Sequence, residues 1–196
     1  DGRGMIALPG LVDTHWHLWG TLLRGVIGDG PEHGWFARKA RLGGHFEPGD
    51  TYLGVRLGLV EGLGGGITTV HDWAHNVLSA ADAEANLRAH RETGARVHFS
   101  YGAPSTHPSL SLREAATVMA EAGKPVDEPM DFDEIARIQR ETAGDRGDGL
   151  VTVGVAVRGP ARSSPEVYRK EWELARSLGM PIAMHCAGTR QEVARI

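Results

Sequence analysis

Short runs rich in β-branched residues alternate along this chain with longer stretches in which apolar residues return every three or four positions, the two periods of strands and amphipathic helices. The first strand is predicted from Leu11 to Leu18, entered through Pro9-Gly10. A helix is predicted from Asp50 to Leu63, with Asp50 as its N-cap and the run Gly64-Gly65-Gly66 as its stop. Ile67 to His71 follows as the second strand, Ala80 to Thr93 as a helix stopped by Gly94, and Arg96 to Tyr101 as the third strand. Between Gly102 and Asp131 the pattern is irregular apart from a helical stretch from Leu112 to Ala122, and Phe132 to Thr142 reads as a further helix. Leu150 to Val157, a nearly unbroken valine run of the kind buried on both faces, is the fourth strand. A helix from Pro165 to Leu178, with proline in its first turn and Gly179 after its last, leads to a fifth strand from Met180 to Cys186.

Strands separated by helices imply parallel pairing through right-handed crossovers. Two architectures accommodate this. One is an open doubly wound sheet, though no Gly-x-Gly-x-x-Gly follows the first strand. The other is an α/β (β/α)8 TIM-type barrel of about 250 residues, of which this chain would supply about the first five strands. The 196 residues are 41% hydrophobic and carry 21 basic against 25 acidic side chains, a net charge of −4, as in an ordinary globular domain. Without basic clusters, nucleic acid is not expected as a partner, and no apolar run reaches the roughly 18 residues of a membrane span. Cys186 is the sole cysteine, which excludes an intrachain disulfide; with no basic-then-apolar leader, the expected compartment is the cytoplasm. The chain opens on Asp1-Gly2-Arg3-Gly4 and closes on a helical pattern from Gln191 to Ile196, and so reads as a piece of a longer one.

The densest chemistry is His15-Trp16-His17 at the end of the first strand. Alternate strand residues face one side, so both imidazoles point the same way, toward a barrel axis if this is a barrel strand. Such a pair suits zinc, iron or another borderline cation; the alternative is two incidental polar residues. His185 follows the apolar core of the fifth strand, at the end where parallel-strand enzymes build their sites. It is either a third ligand or a core histidine bonded to a backbone carbonyl. Trp16, Trp19 and Trp73 fall on the same rim, as walls for a planar heterocycle or as ordinary core. His71 and His75 end the second strand, where a structural or solvent-exposed role ranks ahead of substrate contact, and His107 lies in a loop after the third. Arg24 and Arg158 follow the first and fourth strands and either meet an anionic substrate group or brace the fold through ion pairs. Cys186 is expected to be buried, because neighbours on a strand point to opposite faces.

The segment from Gly4 to Leu18, with Pro9-Gly10-Leu11-Val12 leading into His15-Trp16-His17, resembles the opening metal motif of the amidohydrolase superfamily. Thr21-Leu22-Leu23-Arg24-Gly25 is similar to the loop of the branch containing cytosine and methylthioadenosine deaminases and the triazine hydrolases. Gly66-Ile67-Thr68-Thr69-Val70 and Pro181 to His185 resemble that branch's second and fifth strands. The resemblance implies a (β/α)8 barrel, usually with a small β-sandwich built from both termini. Residues 1–10 would then end a sandwich segment and enter the barrel, and residues 11–196 would form its strands one to five. It also implies one divalent metal ion, zinc with iron as the alternative, held by His15, His17 and His185. Binuclear relatives use a carboxylated lysine on the fourth strand, and Val151 to Arg158 contains no lysine. A sixth-strand histidine and an eighth-strand aspartate, the usual base, would lie beyond Ile196.

The implied activity is hydrolysis of a C–N bond in a small cyclic amide or amino-heterocycle by metal-activated water. The branch commonly carries a glutamate three residues after the fifth-strand histidine; here that place is Gly188, which cannot transfer a proton. Dehalogenation or decarboxylation therefore stays open beside C–N hydrolysis. So do an inert fragment or subunit, whose open half-barrel would expose apolar strand edges, and an open-sheet binding protein with incidental histidines. The intact enzyme is expected to act on a small-molecule substrate as a homo-oligomer.

Overall fold

A computed structural model describes residues 1–104, 109–120, 128–144, 149–160, 163–186, 188 and 190–194. Its strands are β1 (Leu11–Trp16), β2 (Ile67–Ala74), β3 (Arg96–Gly102), β4 (Val151–Val157) and β5 (Ile182–Met184). All pair in parallel in the spatial order β1-β2-β3-β4-β5, so each crossover returns the chain beside the strand it has just left. A parallel sheet wound in sequence order curls, and these five strands form a half-barrel with helices on its outer face. The helices are α1 (Trp35–Leu42), α2 (Pro48–Gly64), α3 (Ala80–Thr93), α4 (Leu112–Ala120), α5 (Phe132–Gly144), α6 (Pro165–Ser177) and α7 (Arg190–Val193). Among the described residues no helix is long and apolar enough to cross a membrane.

Local chemistry accounts for most boundaries. Ser79 caps α3, its hydroxyl accepting the Asp82 N–H, and Gly94 ends that helix at φ 69°, a left-handed conformation that glycine adopts without strain. Ser164 and Pro165 open α6 in the same capping logic. Three expectations need correction. The N-cap of α2 is Glu47, with Pro48 in the first turn; Asp50 sits at the third helical position and accepts the Glu47 N–H at 3.0 Å. β1 stops at Trp16 rather than Leu18, because the chain tightens into a 3-10 turn over Leu18–Leu23, closed by Gly20 N–H on His17 O (3.0 Å) and the Thr21 hydroxyl on Leu18 O (2.7 Å). β5 stops at Met184, so the two-face alternation does not reach Cys186, which is exposed rather than buried.

The sheet sorts its side chains by parity. Phe99 and Tyr101 of β3 and Val153, Val155 and Val157 of β4 point outward and pack with Leu87 of α3, Ile135 and Ile138 of α5 and Ala175 of α6. Each large side chain buried there contributes about 1.5–3 kcal/mol. The opposite parity faces the barrel side and is polar. His98 Nδ1 meets Thr152 Oγ1 at 2.9 Å, and His71 Nε2 meets Ser100 Oγ at 2.8 Å. A second core joins Leu18, Trp19 and Leu23 of the 3-10 turn to Val55 and Leu59 of α2. That helix lies flush against the turn through Gly54 and Gly58. A Cβ at Gly54 would stand 2.7 Å from Trp19 O, and one at Gly58 2.7 Å from Thr21 Oγ1.

Candidate metal centre

His15 and His17 lie two residues apart on nearly extended backbone and therefore project to the same, barrel-facing side, with their Nε2 atoms 3.2 Å apart. His185, 170 residues further along, follows the end of β5 and brings its Nε2 to 2.9 Å from that of His15. The parallel order of the sheet makes this meeting possible: β1 and β5 end on the same rim, and the curl turns those ends toward one another. The three residues offer ligand atoms that all lie within 4.8 Å of one another. Two nitrogens on one tetrahedral ion, bound at about 2.0–2.1 Å, stand about 3.3 Å apart. The observed separations and the imidazole donor set fit a single borderline divalent cation.

The surroundings favour the ligand form of these rings. The Nδ1–H of His17 donates to the Trp73 carbonyl at 2.7 Å, which leaves Nε2 as the nitrogen with the free lone pair. The backbone N–H of His15 donates to Asp13 Oδ1 at 2.9 Å, holding the strand end that carries the ring. Burial lowers the pKa of both rings; His71 adds to the effect on His15, and Asp13 opposes it. Neutral imidazole is the metal-binding form. His75, 8% exposed, places its Nδ1 2.9 Å from His17 Nδ1 and is pushed well below the usual histidine range, first by burial and then by the nearby Lys39 ammonium.

Other residues singled out from sequence occupy varied places. Arg24 lines a cleft of about 300 Å³ with His15, Trp16, His17, Gly20, Thr21 and Trp35, and its guanidinium also pairs with Glu61 of α2. Trp19 is 1% exposed and packs against Trp35, Phe46 and His75, so it belongs to the core beneath the rim and not to the cleft lining. His71 lies deeper in the barrel, its ring centroid 6.4 Å from that of His15, with Nδ1–H donating to Thr14 O at 3.1 Å. Arg158 is braced: Nη1 donates to Glu128 O at 3.0 Å and its backbone N–H to the fully buried Glu171 at 3.4 Å. Burial pushes the Glu171 carboxyl up and the Arg158 guanidinium down. His107 lies outside the described residues.

Two features of the rim have little signal in the sequence. Trp73 faces the three histidines, its ring centroid 3.9 Å from His185, 5.5 Å from His17 and 6.3 Å from His15. In the sequence it is only one of several rim aromatics. Lys39 of α1 is 3% exposed and close enough to His17 and His75 to disfavour their protonation. α1 is amphipathic but only eight residues long, and it is closed in by Gly28, Gly30, Gly34, Gly43 and Gly44, which mask it as a loop.

Comparison with known proteins agrees with the fold. Among curated proteins, a 5-methylthioadenosine/S-adenosylhomocysteine deaminase of Natronomonas pharaonis is 30% identical over 194 residues, covering 98% of this chain and 40% of the relative. A 5'-deoxyadenosine deaminase of Methanothermobacter thermautotrophicus is 30% identical over 202 residues, covering all of this chain and 41% of that protein. The chain thus spans about two fifths of the length of the curated relatives it matches. Among solved structures, a zinc-bound adenosine deaminase of Xanthomonas campestris superposes with a TM-score of 0.65 at 23% identity, over 95% of this chain and 38% of the other. A zinc-containing atrazine chlorohydrolase of Arthrobacter aurescens gives 0.64 at 23% identity, over 95% and 42%. The profile of the amidohydrolase family matches residues 6–196, and the chain belongs to that family.

Proposed function

We propose that the complete protein is a divalent-metal-dependent hydrolase of a C–N bond in a small cyclic amide or amino-heterocycle, with His15, His17 and His185 as metal ligands. The observation that carries this reading is the convergence of three imidazole nitrogens from the ends of β1 and β5 to within 4.8 Å. The deaminase names of the relatives support C–N hydrolysis, and the zinc in two structural neighbours supports zinc. A divalent ion held by such a set supplies Lewis acidity, lowering the pKa of a bound water toward neutrality and polarising the scissile group. The chain's own residues orient the ligands and shape the cleft. His17 is held in one tautomer by the Trp73 carbonyl. Trp16 and Trp35 line the cleft with apolar ring surface that suits a planar substrate, while the buried Trp73 packs against the three histidines.

Gly188 favours a second reading. Where the deaminase branch carries a glutamate, this chain has no side chain to move a proton, and one structural neighbour is a chlorohydrolase. Halide displacement needs no proton delivered to the leaving group. The two readings separate in a screen of the full-length protein against cyclic amides, amino-heterocycles and their chloro analogues. Ammonia or ring-opened product supports C–N hydrolysis, and chloride release without either supports the alternative.

A further inference from the structure

Asp72 points from β2 into the helix layer, where it and His90 of α3 are fully buried. The His90 Nε2–H donates to Asp72 Oδ2 at 3.0 Å, and Asp72 Oδ1 accepts the backbone N–H of Leu18 at 3.3 Å. Leu18 directly follows His17. The next residue along β2, Trp73, takes the His17 Nδ1–H on its carbonyl at 2.7 Å. Two successive residues of β2 therefore grip two successive residues of the β1 corner, one through the imidazole and one through the backbone from which that imidazole hangs. The imidazole bond fixes the ring's tautomer; the bond to Leu18 ties the backbone of the corner to the same strand.

His90 is not explained by packing. Among the described residues its buried Nδ1 has no hydrogen-bond partner, a penalty that an apolar residue of similar size would not incur. What His90 does provide is a donor that fixes the rotation of a carboxylate otherwise enclosed by β2 and α3. We propose that Asp72 and His90 are positioning residues of the metal centre, holding Leu18 and through it His17 where its Nε2 meets those of His15 and His185. The proposal rests on the reading of those three histidines as ligands. Metal sites tolerate ligand displacements of only about 0.2 Å, and partners beyond the ligands typically change metal affinity about 10–100-fold.

The test uses full-length protein and three readouts: zinc affinity by competition with a chromogenic chelator, the visible spectrum of the cobalt-substituted form, and thermal unfolding of the metal-free form. Asp72→Ala removes the acceptor of both bonds, whereas an amide at this position could still accept from Leu18 and donate to the other tautomer of His90. His90→Phe removes the donor, while His90→Gln returns an N–H at similar reach. Asp72→Ala and His90→Phe are expected to weaken zinc binding about 10-fold or more and to change the cobalt spectrum, with His90→Gln recovering most of the affinity. Folded Asp72→Ala and His90→Phe variants that bind zinc like the wild type, whatever their thermal stability, overturn the proposal. So does a His90→Gln variant as weak as His90→Phe. His15→Ala separates the two levels: if it binds zinc as the wild type does, the ligand reading itself has failed. If it loses zinc while the Asp72 and His90 variants keep it, the positioning role alone has failed.

Discussion

Replacing Gly54 by alanine tests the contact that seats the metal-bearing corner on its helix. Gly54, Gly58 and Gly62 recur every fourth residue on α2; the first two meet the chain just after His17, and Gly62 meets the Trp16 ring just before it. On helix propensity alone, Gly→Ala stabilises by about 1 kcal/mol. At Gly54, however, the new Cβ would stand 2.7 Å from Trp19 O, well inside the 3.4 Å at which ordinary contact begins, and the obstacle is backbone that no rotamer change can move. Overpacking of this kind costs about 1–3 kcal/mol, so the clash outweighs the propensity gain and a net loss of about 1 kcal/mol is expected. Gly49, in the first turn of the same helix, has nothing within 4 Å of an added Cβ and provides the control. There the propensity gain stands unopposed and stability should rise by up to about 1 kcal/mol. The assay is urea unfolding of metal-free full-length protein, with midpoints compared at constant slope. If Gly54→Ala raises the midpoint as Gly49→Ala does, helix and corner are not in the contact described and the reasoning fails.

Two further expectations concern the outer layer. Burial, with help from the carboxylates of Glu134, Asp131 and Asp82, pushes the Tyr101 phenol up to about 12. An unfolded tyrosine ionises near about 10, so the unfolded state loses its proton first and stability should fall as pH rises from about 10 toward 12. In an absorbance titration Tyr101→Phe should remove the most alkaline phenolate component; loss of a component centred near 10 would show that Tyr101 is not buried as described. Ser79→Ala removes the α3 cap and the 2.7 Å hydrogen bond that the Ser79 hydroxyl donates to Asp82. Unfolding midpoints should show a cost of about 1 kcal/mol, and a neutral result would deny the cap.

Much of the scaffold is legible in the sequence because its signals are local. Ile67-Thr68-Thr69-Val70 and the valine run from Val151 announce strands through β-branching, and Ser79, Gly94, Ser164 and Pro165 mark helix ends by capping chemistry. The histidine pair is legible because a period of two is a property of extended backbone, and His185 because strand order and the family resemblance together place it on the same rim. What stays hidden depends on contacts between distant segments. The 3-10 turn at Leu18 is held by Asp72 across 54 residues, and a local reading extends the strand through it. Asp72 and His90 look like an ordinary strand acid and helix histidine until β2 and α3 are packed together. The polar barrel-facing side of β3 and β4, carrying His98, Ser100 and Thr152, cannot be assigned before the curl decides which parity turns inward.

The most direct test of the metal centre is the metal content of the full-length protein, by elemental analysis, in the wild type and in His15→Ala, His17→Ala and His185→Ala variants shown to be folded. The three-histidine site predicts about one zinc or iron per wild-type chain, loss of that metal from each variant, and release from the wild type by a strong chelator together with loss of activity. A folded wild type without stoichiometric metal, or histidine variants that retain it, would contradict the claim that these three residues, 170 positions apart at the extremes, form one metal centre.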